Sequence, residues 1–233
     1  MSWLELSDPV ALLPFGILGA LVGLDTVSFP QAMISRPIVG ATLAGALVGR
    51  PGQGMLMGVV LELIALETLP VGASRYPEWG SSSVVGGALF AEHARVVPGS
   101  MTTAALAALA TALASLATLT AVRRLNARWA RARLDALARG SYRTVMGLQV
   151  FGLTADLVRG GLLTYVALLI LHPLFHLVID AWHVDARLSL AVVIGAAAMV
   201  AGGAVWKIFH ATPGARWCFL GGLAVGLALL VLT

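Results

Sequence analysis

Glu62 and Glu67 lie in GVVLELIALETLPVG, two carboxylates inside a run that is otherwise almost wholly apolar. Five residues apart on a helix, they point about 140° from each other, so they do not form a paired acid–base couple. Glu67 comes shortly before Pro70 and falls toward an interface, whereas Glu62 is deeper. A charge at bilayer depth costs about 3 kcal/mol or more unless it faces protein, water or an opposite charge. Glu62 therefore reads either as an acid that binds a ligand (sugar hydroxyls, a cation or a proton) or as a paired acid that ties helices together. Asp25 closes the first apolar segment, as a ligand group or as a helix-end residue in water. Arg36, just before Pro37, is placed to pair with Asp25 or to cap a turn.

Other titratable groups read as structural. Asp156 and Arg159, at i, i+3, neutralise each other on one helix face. His172, His176 and Asp180 have the i, i+4, i+8 spacing of metal ligands, with His183 beyond. Pro173 is expected to interrupt that geometry where the chain leaves the membrane, which favours solvated interface histidines and no metal centre. The sequence contains no P-loop, GxSxG, HExxH, CxxC or dinucleotide fingerprint, so it carries no ATPase, hydrolase or redox signature. No catalytic residue and no cofactor is expected. Cys218, the one cysteine, lies in an apolar run and reads as packing.

The elements that hold these groups belong to a membrane. Mean hydropathy is +0.91. Hydrophobic residues make up 59% of the chain and charged residues 11%, against about 25% charged in globular domains. The fold class expected is all-α, a polytopic membrane helical bundle forming one integral domain over residues 1–233. The N-terminal MSWLELSDPV has Glu5 and Asp8 and no basic residue, so the first apolar segment is expected to stay in the mature protein. Apolar stretches fall at about Val10–Leu24, Ile38–Gly49, Gln53–Gly72, Ser82–Ala91, Met101–Val122, Val145–Ile179, Leu188–Phe209 and Trp217–Thr233. Met101–Val122, Leu188–Phe209 and parts of Val145–Ile179 have the ~20 residues of a simple span. The others are short or broken by Gly and Pro, and such segments survive at membrane depth only under cover of protein or around a cavity. Residues 38–91 are thus as readily re-entrant hairpins as full crossings, around the deep carboxylate that a carrier would use to line a substrate site. GxxxG spacings at Gly19–Gly23, Gly45–Gly49, Gly54–Gly58 and Gly222–Gly226 point to tight packing and oligomerisation.

Charge orients the second half. Arg123–Arg143 holds seven arginines and one aspartate and is expected on the cytoplasmic side between core segments (9–122) and C-terminal spans (144–233). His172–Arg187, with Asp180 and Asp185 against Arg187, is then external, and Lys207–Arg216 internal. The arginine segment is predicted to be an amphipathic basic helix lying on anionic lipid, with Trp129 at headgroup level. Docking of a soluble partner there is compatible with that, and nucleic acid is not expected.

Leu24-Asp25, Arg36-Pro37-Ile38, Thr42-Leu43-Ala44-Gly45, Leu61-Glu62, Ala65-Leu66, Val71-Gly72-Ala73 and Pro77 form a combination that resembles one family. It is the membrane enzyme IIC of the mannose/sorbose family of the bacterial phosphoenolpyruvate-dependent sugar phosphotransferase system (PTS). The clear likeness covers residues 24–78. Arg50 stands where the family has an Asp, Pro70 where it has an Asn, and Glu67 where a Gly is usual. The resemblance implies a sugar-translocating subunit in the bacterial inner membrane, working with a second membrane subunit, enzyme IID. Soluble IIA and IIB phosphocarrier proteins supply phosphate, and the complexes are trimers of IIC–IID pairs. It implies that Asp25 and Glu62 contribute to the sugar site; Arg36, Glu67, Gly72 and Ser74 of the same motif region join them as candidate substrate-binding residues. The alternatives are a non-transporting scaffold or sensor of a degenerate PTS, and an ion- or proton-coupled permease using Glu62.

Overall fold

A computed structural model of the chain describes residues 6–26, 28–68, 76–93 and 96–232. Among them every regular element is helical. Four short helices come first: α1 (Leu13–Asp25), α2 (Pro37–Leu47), α3 (Pro51–Ala65) and α4 (Trp79–Ala91). At 13, 11, 15 and 13 residues they reach only about 17–23 Å, short of a hydrocarbon core of roughly 30 Å. Proline at the first helical position starts α2 and α3, where a missing N–H costs nothing and φ is already helical. The long helices follow: α5 (Ser100–Arg131), the short α6 (Leu134–Ala138), α7 (Tyr142–Asp180), α8 (Ala186–Phe209) and α9 (Ala215–Leu232). Helices α5, α7 and α8 are long and apolar enough to cross a membrane.

α4 is the centre. Each of its residues is buried, and it packs against α1, α2, α3, α5 and α7. Its sequence, WGSSSVVGGALFA, has no polar face to turn outward, and its serine hydroxyls bond back to helix carbonyls such as Trp79 O and Gly80 O. α2 and α3 form a helical hairpin around Val48–Arg50. Their backbones meet at Gly45 and Gly54, where a Cβ on Gly45 would stand 2.8 Å from the Gly54 Cα. α1 runs antiparallel to α7, with Gly19 opposite Thr164 and Gly23 opposite Gly160. The spacings at Gly19–Gly23 and Gly54–Gly58 thus mark real close approaches, while a Cβ at Gly49, Gly222 or Gly226 would meet nothing within 4 Å.

Two sequence expectations change. The arginine segment is not one surface helix. Arg123, Arg124, Arg128 and Arg131 ride on the end of α5, Arg133 and Arg139 flank α6, and Gly140 at φ 71° turns the chain into α7. α5 and α7 run about 48 and 58 Å, longer than the hydrocarbon core. At that basic end they pack on each other, Trp129 stacking on Phe151 at 4.1 Å. Pro173, in turn, does not end α7, which continues to Asp180. Pro173 lies on the exposed face of α7, as does Leu169, whose carbonyl it leaves without its helix partner.

Contacts fix which ends go together. Trp182, after α7, lies over Gly99 at the start of α5, whereas Arg123 and Lys207 share the other end with Tyr76 and Glu67. With Cys218 replaced, a single cysteine at Ala138 is expected to resist an impermeant thiol reagent applied outside, and one at Ala186 to label. The reverse pattern would invert the bundle.

Candidate functional site

Four helix ends meet at one level: the C-termini of α1 and α3 and the N-termini of α2 and α4. The pocket between them is lined by Thr26, Ser35, Arg36, Ala65, Thr68, Tyr76 and Trp79. Trp79 Nε1 donates to the Thr68 hydroxyl at 2.9 Å, which fixes the indole face at the wall. Arg123 of α5 reaches over the Tyr76 ring, 5.4 Å from its centroid, and donates to its hydroxyl at 3.3 Å. Hydroxyls, one guanidinium and two aromatic rings give this small pocket, about 70 Å³, a wall of mixed donors, acceptors and flat apolar surface.

Glu62 and Arg36 are brought together as an ion pair, and Glu62 Oε2 also accepts from the Ile38 N–H at 3.3 Å. Glu62 thus satisfies an orphan amide of α2 while it holds Arg36 at the rim. Arg36 pairs with Glu62, not with Asp25. Asp25 is buried, and its two oxygens accept from Ala32 N at 2.6 Å and Ser35 N at 2.9 Å. It is neither a solvated helix end nor on the pocket wall; it anchors the loop that delivers Ser35 and Arg36. That loop needs anchoring, because Gln31 and Met33 adopt φ of 57° and 63°, a conformation unfavourable for side-chain-bearing residues. Glu67 is half-exposed and directed to Lys207 of α8 at 3.0 Å, away from the lining. Gly72 and Ser74, with Pro70, lie outside the described residues.

Behind the pocket is a buried charge cluster that sequence reasoning missed in part. Glu78, fully buried, caps α4 by accepting from Ser81 N at 2.8 Å and also accepts from the Thr26 hydroxyl at 3.3 Å. Its other oxygen stands 3.6 Å from Arg159, and Asp156 stands 3.7 Å from the same guanidinium. Ser28 donates to Asp156 at 2.6 Å. The i, i+3 pairing of Asp156 and Arg159 is present, yet Glu78, 81 residues away in sequence, completes it. Among the described residues none of the three Arg159 nitrogens has a hydrogen-bond partner. The signal in the sequence was Glu78 standing immediately before an all-apolar and serine run, the position of a helix cap.

Arg50 has a defined task at the opposite end of α4: its guanidinium donates to Ala91 O, at 2.9 Å, and to Glu92 O. These are carbonyls the helix leaves unpaired at its C-terminus. There too, His172 is buried rather than solvated, and with His176 and Glu92 it presents three metal-ligand atoms close together.

The family model described as the PTS system sorbose-specific IIC component matches residues 10–221. Over 69 residues the chain is 30% identical to the PTS system sorbose-specific EIIC component of Lacticaseibacillus casei, a match that spans 30% of this chain and 24% of that relative. A solved structure described as a membrane protein superposes with a TM-score of 0.72 at 19% identity, covering 94% of this chain and 89% of that one. The cryo-EM structure of the mannose transporter ManYZ with microcin E492 superposes with a TM-score of 0.60 at 18% identity, covering 97% and 94%. The two superpositions establish the shared helical fold, and the family match over residues 10–221 establishes that this chain belongs to the sorbose-specific IIC component family of the phosphotransferase system.

Proposed function

We infer that this chain is a sugar-translocating IIC subunit that works in the bacterial inner membrane with a IID subunit and with soluble IIA and IIB. The observation that carries this reading is the pocket at the junction of four half-length helices, rimmed by Arg36, Thr68, Tyr76 and Trp79. Arg36 and the threonine and serine hydroxyls suit sugar hydroxyls, and the indole and phenol faces suit the apolar face of a pyranose ring. The chain contributes binding and passage; phosphate reaches the sugar from IIB, which traps it inside. The test is uptake and phosphorylation of a panel of sugars by membrane vesicles carrying this chain and IID, with and without IIA, IIB and phosphoenolpyruvate. Accumulation of sugar phosphate only in the complete mixture supports the reading. Sugar binding without uptake would favour a non-transporting scaffold, and uptake indifferent to the soluble proteins would favour a coupled permease.

Glu62→Gln is expected to lower sugar affinity roughly ten- to a hundredfold while the protein still inserts and assembles. The amide keeps an acceptor for Ile38 N–H but loses the charge-assisted pairing that holds Arg36, worth about 1.5–3 kcal/mol. Unchanged affinity in a folded variant would remove Glu62 from the site.

A further inference from the structure

We propose that Glu92, His172 and His176 form a binding site for a divalent transition-metal ion of the zinc type, joining the end of α4 to α7. His172 and His176 are one turn apart on α7, and because that helix runs unbroken through Pro173 both rings face Glu92. Glu92 Oε1 lies 2.8 Å from His172 Nε2 and 3.2 Å from His176 Nε2, and the two nitrogens lie 3.1 Å apart. Ligand atoms at bond lengths of about 2.0–2.2 Å around a tetrahedral zinc stand roughly 3.3 Å from one another. The three atoms therefore already form one face of a coordination shell, slightly contracted. Two imidazoles and a carboxylate are also the donor set that such ions favour.

Two further groups have unspent capacity here. Glu92 Oε2 and His93 Nδ1 are buried without a hydrogen-bond partner, and the His93 ring sits 5.7 Å from that of His176. The first is free to bond the metal or a ligand ring, and the second leaves an unpartnered imidazole nitrogen in the same neighbourhood, outside the three-atom cluster. Arg50, the cation against this segment, is occupied by the Ala91 and Glu92 carbonyls, which hold the Glu92 backbone in place. A metal here would fasten the short-helix group to a spanning helix, at the end of α4 opposite the pocket.

The test uses the full chain in lipid nanodiscs, purified through a histidine-free tag, stripped with chelator and titrated with zinc chloride. One zinc per chain is expected, with affinity reduced on the order of 100-fold in His176→Gln and in Glu92→Gln and unchanged in His210→Gln. Because His176 is partly exposed, its replacement leaves the packed core in place. Cobalt(II) at the same site is expected to show the intense visible bands of four-coordinate geometry. A loss below about tenfold in both variants, or a cobalt spectrum of the weak six-coordinate type, would overturn the assignment.

Discussion

Arg159→Leu is expected to cost about 3–5 kcal/mol of stability, because it leaves two carboxylates buried with no compensating charge. Glu78 is fully buried, the Arg159 side chain is 4% exposed and that of Asp156 10%, so water reaches little of the cluster. The direct value of the ion pair is small beside the penalty of stranding Glu78 and Asp156 in a low dielectric. That asymmetry gives the test its control. Adding Glu78→Gln to Arg159→Leu removes one of the stranded charges, while the amide oxygen can still cap α4 through Ser81 N. The double variant should therefore unfold at a higher temperature than the single one. Thermal unfolding in lipid nanodiscs reads both quantities. A single variant that melts with the wild type would show that the guanidinium neutralises nothing there.

Gly87→Leu should be among the most damaging packing changes in the described helices. A Cβ at Gly87 would lie 2.6 Å from both the Cα and the carbonyl oxygen of Ala41, so the obstruction is the α2 backbone and not a side chain that can swing away. Inserting methylenes into a packed core costs about 1–3 kcal/mol even where neighbours relax. Here α4 must move off α2, and through α2 the pocket rim at Ser35 and Arg36 moves as well. Loss of the monodisperse peak in size-exclusion chromatography, together with loss of sugar binding, is the expected outcome. Gly147→Ala is the contrast. Nothing lies within 4 Å of its Cβ position, and alanine in a helix is favoured by about 0.5–1 kcal/mol, so that variant should match or exceed wild-type stability. Equal behaviour of the two variants would rule out the close crossing of α4 over α2.

Much of the fold was readable because its punctuation is local. Pro37 and Pro51 open helices, and Gly49 at φ 77° closes the turn between α2 and α3. The hydropathy runs located the elements to within a few residues at most ends. The partners inside the site were less readable. Glu62 was singled out by its isolation in an apolar run, yet its pairing with Arg36 depends on how α3 folds back beside α2, which no periodicity encodes. Arg159 looked satisfied by Asp156 at i, i+3, so nothing pointed across to Glu78. The two histidines were misplaced for a related reason. A proline in a water-soluble helix usually breaks it, whereas α7 continues through Pro173, which lies on its exposed face, to Asp180. The arginine segment is helical as expected, but its first half continues α5 instead of starting a new element.

The meeting of four helix ends has an electrostatic consequence. Each terminus carries the equivalent of roughly half an elementary charge, positive at an N-terminus and negative at a C-terminus. α2 and α4 direct positive ends at the pocket, and α1 and α3 direct negative ends, so the two pairs of macrodipoles cancel at any distance beyond the pocket itself. An ion of either sign would meet as many hostile ends as favourable ones. A neutral solute carrying many hydroxyls needs donors and acceptors within reach of each other and no net field, and that is what opposed helix ends supply. The alternating directions of these short helices thereby leave the mouth of the pocket without a net macrodipole field, which under the proposed sugar-binding reading disfavours a charged solute.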